Sequence, residues 1–340
     1  METFDFHGHK LSRVFKGNWQ LAGGHGNITH DDALEVLAKY ADHGVNTFDV
    51  GDIYTGAEDL LGEFITLDAR SNPGRDIRVH TKFVPDLDAL ETLTEQDIRT
   101  VIERSLKRLR IPSLHLVQFH WWDFSKGDFI AAARILQKLK DEGLIEQIGV
   151  TNTDVNHLRQ LLDSDIEIVS NQIQFSLIDP RPLNGMLDFA KQNDINLFCY
   201  GVLAGGLLGN SKPGSEPTNR SHIKYGLMVD EAGVEYYEST LDILEGLAVK
   251  YDTSRANIAA AFILSYPEVS SVILGPRNAA HVAELDTLTN IKLDDADANL
   301  LKERLATFAA NVDGDIYSYE RDMQGRHGSI MKYNLNGMRS

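Results

Sequence analysis

The sequence predicts a (β/α)8 (TIM) barrel, in which eight parallel strands alternate with the helices that surround them. Short runs rich in β-branched residues alternate with stretches whose apolar residues recur at helical spacing, a pattern typical of a parallel sheet. The series contains eight strand-then-helix units, and no linker or change of composition divides it. We therefore expect one domain over residues 1–340, with the barrel at about residues 11–290.

The elements follow in order along the chain. A small hairpin around Gly8 comes first, and the strands are expected at residues 13–21, 45–50, 77–82, 114–120, 145–150, 167–172, 195–200 and 270–274. Helices are expected at residues 31–43, 57–67, 95–109, 128–141, 154–162, 183–193, 234–250, 255–265 and 279–288. Residues 209–233, which contain Pro213 and Pro217, are expected to form a long loop after the seventh strand. Residues 291–340 should add a helix at 295–309 and an irregular tail.

The composition excludes several classes of function. A formal net charge of −17 argues against a nucleic acid or an anionic membrane surface as partner. The single cysteine, Cys199, excludes an intrachain disulfide and a cysteine-rich metal site, and we expect no metal. No run approaches the ~18 apolar residues of a membrane helix, and the first ten residues have no apolar stretch. We expect a cytoplasmic protein, and its oligomeric state stays open.

Four side chains suited to acid–base chemistry follow consecutive predicted strands. Asp49 ends the second strand and Tyr54 comes five residues later, while Lys82 and His120 end the next two strands. Considered alone, Asp49 would be interpreted as a cap at the end of its strand, and Lys82 as a surface lysine that pairs with it. Because active sites of this fold lie at the carboxyl ends of the strands, the set of four predicts one catalytic site.

The ends of the later strands have the features of a dinucleotide site. Glycines follow Tyr200 on the seventh strand, and Gly275 and Arg277 precede a predicted helix after the eighth. Glycines let backbone amides approach phosphates, and helix N-termini favour anions. Polar side chains at the ends of the fifth and sixth strands offer groups for a carboxamide, namely Thr151, Asn152 and Gln172.

These segments resemble the aldo-keto reductase family over roughly residues 11–288. The matching segments stand in the family's order at strand ends: Asn46-Thr47-Phe48-Asp49 with Tyr54, His80-Thr81-Lys82, Val117-Gln118-Phe119-His120-Trp121, Ile148-Gly149-Val150-Thr151-Asn152 and Leu203-Ala204-Gly205-Gly206-Leu207-Leu208. The resemblance implies reduction of an aldehyde or ketone with NAD(P)H, or the reverse oxidation, on a small-molecule carbonyl substrate.

The resemblance also implies a role for each catalytic residue. Tyr54 would donate a proton to the carbonyl oxygen, and the ammonium of Lys82 would lower the pKa of its phenol. Asp49 would pair with Lys82, and His120 would hydrogen-bond the carbonyl oxygen. The substrate pocket is expected to be lined by Trp19 and Trp121.

The cofactor implied is NADP(H), with NAD(H) not excluded. Tyr200 would stack on the nicotinamide, Thr151, Asn152 and Gln172 would hold its carboxamide, and Arg277 would meet the 2′-phosphate of NADP. The other implied contacts are Gly17, Asn18, Gly201, Leu203, Gly205, Gly275, His281 and Glu284. The chain departs from the family where Gly201-Val202 replace a frequent Ser-Pro, Gly275-Pro276 a frequent lysine and Leu285 a frequent asparagine. These departures leave the four catalytic residues untouched but bear on the strength of the preference for NADP over NAD.

Three alternatives remain at the level of the sequence. The first is a regulatory nicotinamide-binding barrel similar to the potassium-channel β subunits. The second is a doubly wound dehydrogenase, because Gly24-His25-Gly26 lies between a strand and a helix. The third is a barrel hydrolase that uses paired carboxylates such as Asp49 and Asp52. Two readings of the tail also remain: it frays over the surface, or, as its aromatic content suggests, it packs across the barrel mouth and shapes substrate choice.

Overall fold

The computed structural model describes residues 1–22, 28–215, 219–275 and 282–338, apart from the side chain of Asp286. Arg277, His281 and the sequence Gly24-His25-Gly26 lie outside the described residues. The hairpin pairs β1 (Thr3–Phe6) with β2 (His9–Ser12) in antiparallel register. The barrel strands follow as β3 (Val14–Gly17), β4 (Thr47–Asp49), β5 (Arg78–Phe83), β6 (Leu116–Phe119), β7 (Ile148–Thr151), β8 (Ile168–Gln174), β9 (Asn196–Tyr200) and β10 (Val269–Leu274).

In the described part of the chain these eight strands pair in parallel, each with its neighbour in sequence, and β10 pairs with β3. This last pairing closes the sheet, so the predicted (β/α)8 barrel with an N-terminal hairpin is confirmed. The doubly wound alternative is wrong, because an open sheet leaves its edge strands unpaired with each other.

The helices surround the barrel, and their bounds largely match the apolar periodicity of the sequence. They are α1 (His30–Asp42), α2 (Ala57–Ser71), α3 (Glu95–Leu109), α4 (Phe129–Asp141), α5 (Val155–Leu162), α6 (Met186–Gln192), α7 (Arg220–Ala232), α8 (Val234–Lys250), α9 (Arg255–Leu264), α10 (Glu284–Asn290), α11 (Asp295–Ala309) and α12 (Ser318–Arg321). Short 3-10 turns lie at Trp19–Ala22, Leu87–Ala89, Arg181–Leu183, Ala204–Gly206 and Gly328–Ile330. Among the described helices, none has the length and apolar character to span a lipid bilayer.

Two of the differences from the sequence prediction concern the first barrel strand and the loop after β9. The first barrel strand ends at Gly17, because the Asn18 side chain donates to the main-chain oxygens of Lys16 and Asp49 and the chain then turns. The expected long loop after β9 contains helix α7. Asn219 caps this helix by accepting hydrogen bonds from the amides of Ser221 and His222. Such an N-cap marks the start of a helix, but the nearby prolines obscured it in the sequence.

The hairpin closes the amino-terminal end of the barrel with aromatic rings. The rings of Phe6 and Phe15 lie 5.6 Å and 4.9 Å from that of Phe198. The buried ring of His80 lies 5.0 Å from Phe15. This apolar plug leaves the opposite end of the barrel, where the strands terminate, for polar side chains.

Lys16 on β3 is buried, and it forms no ion pair with any residue that the structure describes. Its Nζ donates to the Gly17 oxygen at 2.6 Å and lies 5.5 Å from the centre of the Tyr40 ring. Because a buried amine loses the hydration that stabilises its charge, burial lowers the pKa of Lys16 to about 7.

We predict that Lys16→Met raises the free energy of unfolding at neutral pH by roughly a few kcal/mol, because the variant no longer buries an unpaired amine. The unfolded amine keeps a pKa near 10.5, so from pH 7 to 10.5 the unfolded wild type binds more protons and the wild type gains stability as pH rises. The advantage of the variant should therefore shrink toward alkaline pH. Urea unfolding midpoints at neutral pH and near pH 10 measure this.

Lys10→Met is the matched control, because Lys10 is an exposed lysine on the hairpin. Its midpoint should equal that of the wild type at both values of pH. A midpoint of Lys16→Met at or below wild type at neutral pH would contradict the account.

Candidate active site

Asp49 and Lys82 form a buried ion pair where β4 and β5 end. Lys82 Nζ lies 3.0 Å and 2.8 Å from the two carboxylate oxygens and also donates to the Val50 oxygen at 2.8 Å. Each residue is 5% exposed. Burial has the largest single effect and lowers the pKa of Lys82, but Asp49 and Tyr54 together outweigh it, so the net shift is upward and the ammonium keeps its charge.

Two amides complete the surroundings of Asp49. Gln118 Nε2 and Gln172 Nε2 donate to Asp49 Oδ1 at 2.9 Å and 2.6 Å. The three residues come from β4, β6 and β8, alternate strands whose inward side chains share one layer of a barrel. Gln118 was missed from the sequence as a site residue, although it stands two residues before His120 and so shares its face of the strand.

Tyr54 lies beside the ion pair as a half-buried phenol. Lys82 Nζ is 5.1 Å from the centre of its ring. Burial raises the pKa of Tyr54 and outweighs the lowering by Lys82, so the net shift is upward. The predicted acidifying effect of Lys82 is therefore present, but Tyr54 without a ligand is a neutral phenol.

His120 is a neutral imidazole. Burial, with the charge of Arg321 next in importance, lowers the pKa of His120 to about 3. Its Nδ1 lies 3.2 Å from the Thr151 oxygen, and a carbonyl acceptor requires the proton on Nδ1. Nε2, which has no hydrogen-bond partner in the described part of the chain, then carries the lone pair and can accept from an alcohol hydroxyl. The expected donation to a carbonyl oxygen requires the other tautomer.

One cavity of about 710 Å³ joins these side chains to the ends of the later strands. This volume is within the range of cofactor sites. The predicted residues that line the cavity are Gly17, Trp19, Asp49, Tyr54, Lys82, His120, Thr151, Asn152, Gln172, Tyr200, Gly201, Leu203, Gly205, Gly275 and Glu284.

Polar atoms that have no hydrogen-bond partner among the described residues are spread along this cavity. Besides His120 Nε2, they are Gln20 Oε1, Tyr40 Oη and His222 Nδ1, and all four side chains are part of the wall. Buried polar atoms normally have hydrogen-bond partners, so their distribution fits an elongated polar ligand such as a dinucleotide.

The glycine turn after β9 has a backbone that only glycine adopts readily. Gly201 and Gly205 have φ of +71° and +65°. A Cβ at Gly201 would lie 2.6 Å from Tyr225 Oη, so α7 packs closely over this turn. Tyr200 Oη, just before the turn, donates to Asn152 Oδ1 at 2.8 Å, which leaves the Asn152 amide nitrogen to bind a carboxamide oxygen.

Two sequence predictions are corrected by the structure. Trp121 is 1% exposed, donates to the Lys126 oxygen and is absent from the cavity wall, where Trp122 stands instead. Side chains of a strand alternate in direction. When the alternation of β6 is continued past its end at Phe119, Trp122 falls on the same side as His120, two residues earlier. Asn18 is also absent from the wall, because it is buried and its amide is engaged by main-chain oxygens.

Comparisons with known proteins agree with this geometry. A sequence profile of the Aldo/keto reductase family matches residues 13–306. The chain belongs to the aldo/keto reductase family. It is similar to the NADH-specific methylglyoxal reductase of Escherichia coli K12, with 25% identity over 319 residues, which cover 86% of this chain and 94% of that protein. L-galactose dehydrogenase of Arabidopsis thaliana is 27% identical over 289 residues, which cover 83% of this chain and 87% of that protein.

Solved structures show the same fold. Glycerol dehydrogenase from Gluconobacter oxydans has a TM-score of 0.74 at 23% identity, over 92% of this chain and 97% of that one. Family membership makes this chain an oxidoreductase that uses a nicotinamide cofactor. Because the Escherichia coli relative is NADH-specific, membership does not decide between NADH and NADPH.

In this family member the carboxyl-terminal tail lies across the barrel mouth, which is the second of the two readings of its sequence. Arg321 Nη1 donates to the oxygens of Trp121 and Trp122 at 2.6 Å and 2.9 Å, and its Nη2 donates to the Asn152 oxygen at 2.6 Å. These bonds tie the tail to the loops that follow β6 and β7. The tail adds five residues to the cavity wall: Tyr317, Ile330, Met331, Lys332 and Leu335.

A second anchor holds the end of the tail. Asn336 Nδ2 donates to Asp52 Oδ2 at 2.6 Å and to the Val84 oxygen at 2.7 Å, and its backbone amide donates to Asp86 Oδ1 at 2.6 Å. Arg104 donates to the main-chain and side-chain oxygens of Asn336. Asp52 is thus a structural partner of the tail and is absent from the cavity wall, which argues against a hydrolase with Asp49 and Asp52 as its pair.

We predict that Asn336→Ala releases the tail, because Asp52 and Val84 lose a buried donor. Each such loss removes roughly 1–3 kcal/mol, so trypsin cleavage after Lys332 should become at least about tenfold faster. The measurement is the rate of limited proteolysis of the folded protein. Asn334→Ala is the matched control, because this exposed asparagine accepts only a 3.3 Å bond from the Asp88 amide among the described contacts. Equal cleavage rates in both variants would contradict the anchor.

Proposed function

We propose that this protein reduces an aldehyde or ketone to the alcohol, or oxidises the alcohol in reverse, with NAD(P)(H), and that Tyr54 donates the proton. The observation that carries the proposal is the single cavity that joins the Tyr54–Lys82–Asp49 group to the glycine turn after β9. In this arrangement an acid–base group and a dinucleotide site open on the same space.

The proposed proton transfer depends on charge beside the phenol. When bound, the nicotinamide supplies or accepts the hydride at the carbonyl carbon. Tyr54 gives its proton to the carbonyl oxygen, and the phenolate that remains is stabilised by the Lys82 ammonium. Asp49 keeps Lys82 charged and in place through the bonds at 3.0 Å and 2.8 Å. Because the group is buried, water screens these charges only weakly.

His120 orients the reacting oxygen. With its proton on Nδ1, His120 accepts from the hydroxyl of the alcohol, and with the proton on Nε2 it donates to the carbonyl oxygen. Both forms are neutral, but the Thr151 oxygen fixes the ring only when the proton is on Nδ1. In that form His120 positions the hydroxyl oxygen next to Tyr54 at little cost of reorganisation.

The proposed substrate is a small carbonyl compound. Apolar side chains form much of the wall near Tyr54, including Ile53, Val84 and Trp122. The relatives are named for methylglyoxal, L-galactose and glycerol, which are all small polar molecules. The preference for NADP(H) stays a prediction that depends on Arg277 and His281, and the cytoplasmic location stays a prediction as well.

We predict that Tyr54→Phe lowers kcat for carbonyl-dependent NADH or NADPH oxidation by roughly 10²- to 10⁴-fold, the usual contribution of a positioned proton donor. Affinity for the reduced cofactor should stay unchanged, because the phenol does not touch the dinucleotide in the proposed site. Cofactor fluorescence measures binding, and absorbance at the reduced nicotinamide band measures turnover over a panel of aldehydes and ketones.

The same experiment separates the alternatives. A regulatory barrel of the potassium-channel β-subunit type would bind the cofactor, yet its turnover would be equally low with tyrosine or phenylalanine at this position. Full activity of Tyr54→Phe would instead show an enzyme with another proton donor. Tyr237→Phe is a control for loss of a phenol, because Tyr237 Oη donates to the Leu207 oxygen and Tyr237 is absent from the cavity wall.

A further inference from the structure

Lys224 of α7 places a cation among three tyrosine rings of the cavity wall. Its Nζ lies 5.0 Å, 5.6 Å and 5.9 Å from the ring centres of Tyr200, Tyr225 and Tyr317. The side chain is 12% exposed, and all four side chains line the cavity. Burial raises the pKa of each of these phenols, so the three rings are neutral. Burial lowers the pKa of Lys224, and the Glu320 carboxylate opposes this shift. The ammonium form of Lys224 faces rings that attract it but do not cancel its charge.

A buried cluster of charges lies behind this cation. Lys224 Nζ is 3.9 Å from Glu320 Oε1, and Arg181 bridges Glu320 Oε2 and Asp179 Oδ2 at 2.7 Å each. Burial raises the pKa of Glu320, but Arg181 and Lys224 outweigh it and lower this pKa to about 2. With two cations and two anions the cluster is balanced as a whole, and Lys224 is the member that lies against Tyr200.

The position of Lys224 matters because Tyr200 is the ring proposed to stack on the nicotinamide, so this step rests on the proposed function. The oxidised nicotinamide ring carries a positive charge and the reduced ring carries none. A fixed cation near the stacking ring repels the oxidised form and leaves the reduced form largely unaffected. Removal of that cation would leave the cluster with one excess anion, which attracts the oxidised ring.

We propose that Lys224 and Glu320 set the balance between binding of the reduced and of the oxidised nicotinamide cofactor. Lys224 weakens binding of the oxidised form. The pair then favours release of the oxidised cofactor after carbonyl reduction. The effect acts on equilibrium binding and needs no substrate, so it is separate from the proton transfer by Tyr54.

A charge series on this pair tests the proposal. Dissociation constants at neutral pH are measured by titration calorimetry for NADH with NAD⁺ and for NADPH with NADP⁺. Lys224→Met should tighten binding of the oxidised form by about tenfold, as expected for one charge removed at a distance of roughly 8 Å in a partly buried site. Binding of the reduced form should change little. Glu320→Gln should weaken binding of the oxidised form. In the double variant the ratio of the two dissociation constants, oxidised to reduced, should return toward that of the wild type.

One further variant and two possible outcomes make the test decisive. Lys224→Arg retains the charge and should retain the wild-type ratio, whereas a role in packing alone would change binding of both forms alike. If both forms bind and the ratio is the same in wild type and Lys224→Met, the inference is overturned while the proposed function stands. If the wild type binds neither form, the proposed function fails, and the inference falls with it.

Discussion

The ion pair between Asp49 and Lys82 is the interaction on which the rest of the site depends. Burying two charges is unfavourable unless each is paired and hydrogen-bonded. Here the carboxylate accepts from Lys82, Gln118 and Gln172, and Lys82 also donates to the Val50 oxygen. The barrel makes this possible, because its closed sheet brings the ends of β4, β5, β6 and β8 to one rim.

The two ends of the barrel have opposite chemistry. At the amino-terminal end, the rings of Phe6, Phe15 and Phe198 form an apolar plug around His80. At the carboxyl end, polar side chains face a cavity that the tail covers. Arg321 and Asn336 fix the tail through bonds to the loops after β5, β6 and β7, so the cover is part of the wall of the site.

Much of the fold and the catalytic group could be predicted from local sequence patterns. Strand ends at Asp49, Lys82 and His120 were readable because short β-branched runs precede them, and barrel closure then brings them together. The observed bounds of α3, α8 and α11 equal those expected from the sequence, where the stretches of helical apolar spacing begin and end.

The parts that could not be predicted depend on contacts distant in sequence. The bonds of Asn336 to Asp52 and Asp86 span 284 and 250 residues, and no local pattern encodes them. The same holds for Glu320 with Arg181, which joins the tail to the loop after β8. Trp122 and Gln118 were accessible in principle, since both lie two residues from His120 on its side of the strand. Strict use of that alternation would have placed Trp122, rather than Trp121, in the wall.

The most direct test of the central claim is the pH dependence of single-turnover hydride transfer in wild type and Asp49→Asn. Without the carboxylate, burial is opposed only by Tyr54, so the pKa of Lys82 falls and the positive charge beside Tyr54 is weakened. We predict that the variant binds the reduced cofactor but transfers hydride at least about a hundredfold more slowly. Alcohol oxidation, which needs the Tyr54 phenolate and therefore rises with pH, should reach its maximum at a higher pH in the variant. An unchanged rate and pH profile in Asp49→Asn would contradict the role assigned to the pair.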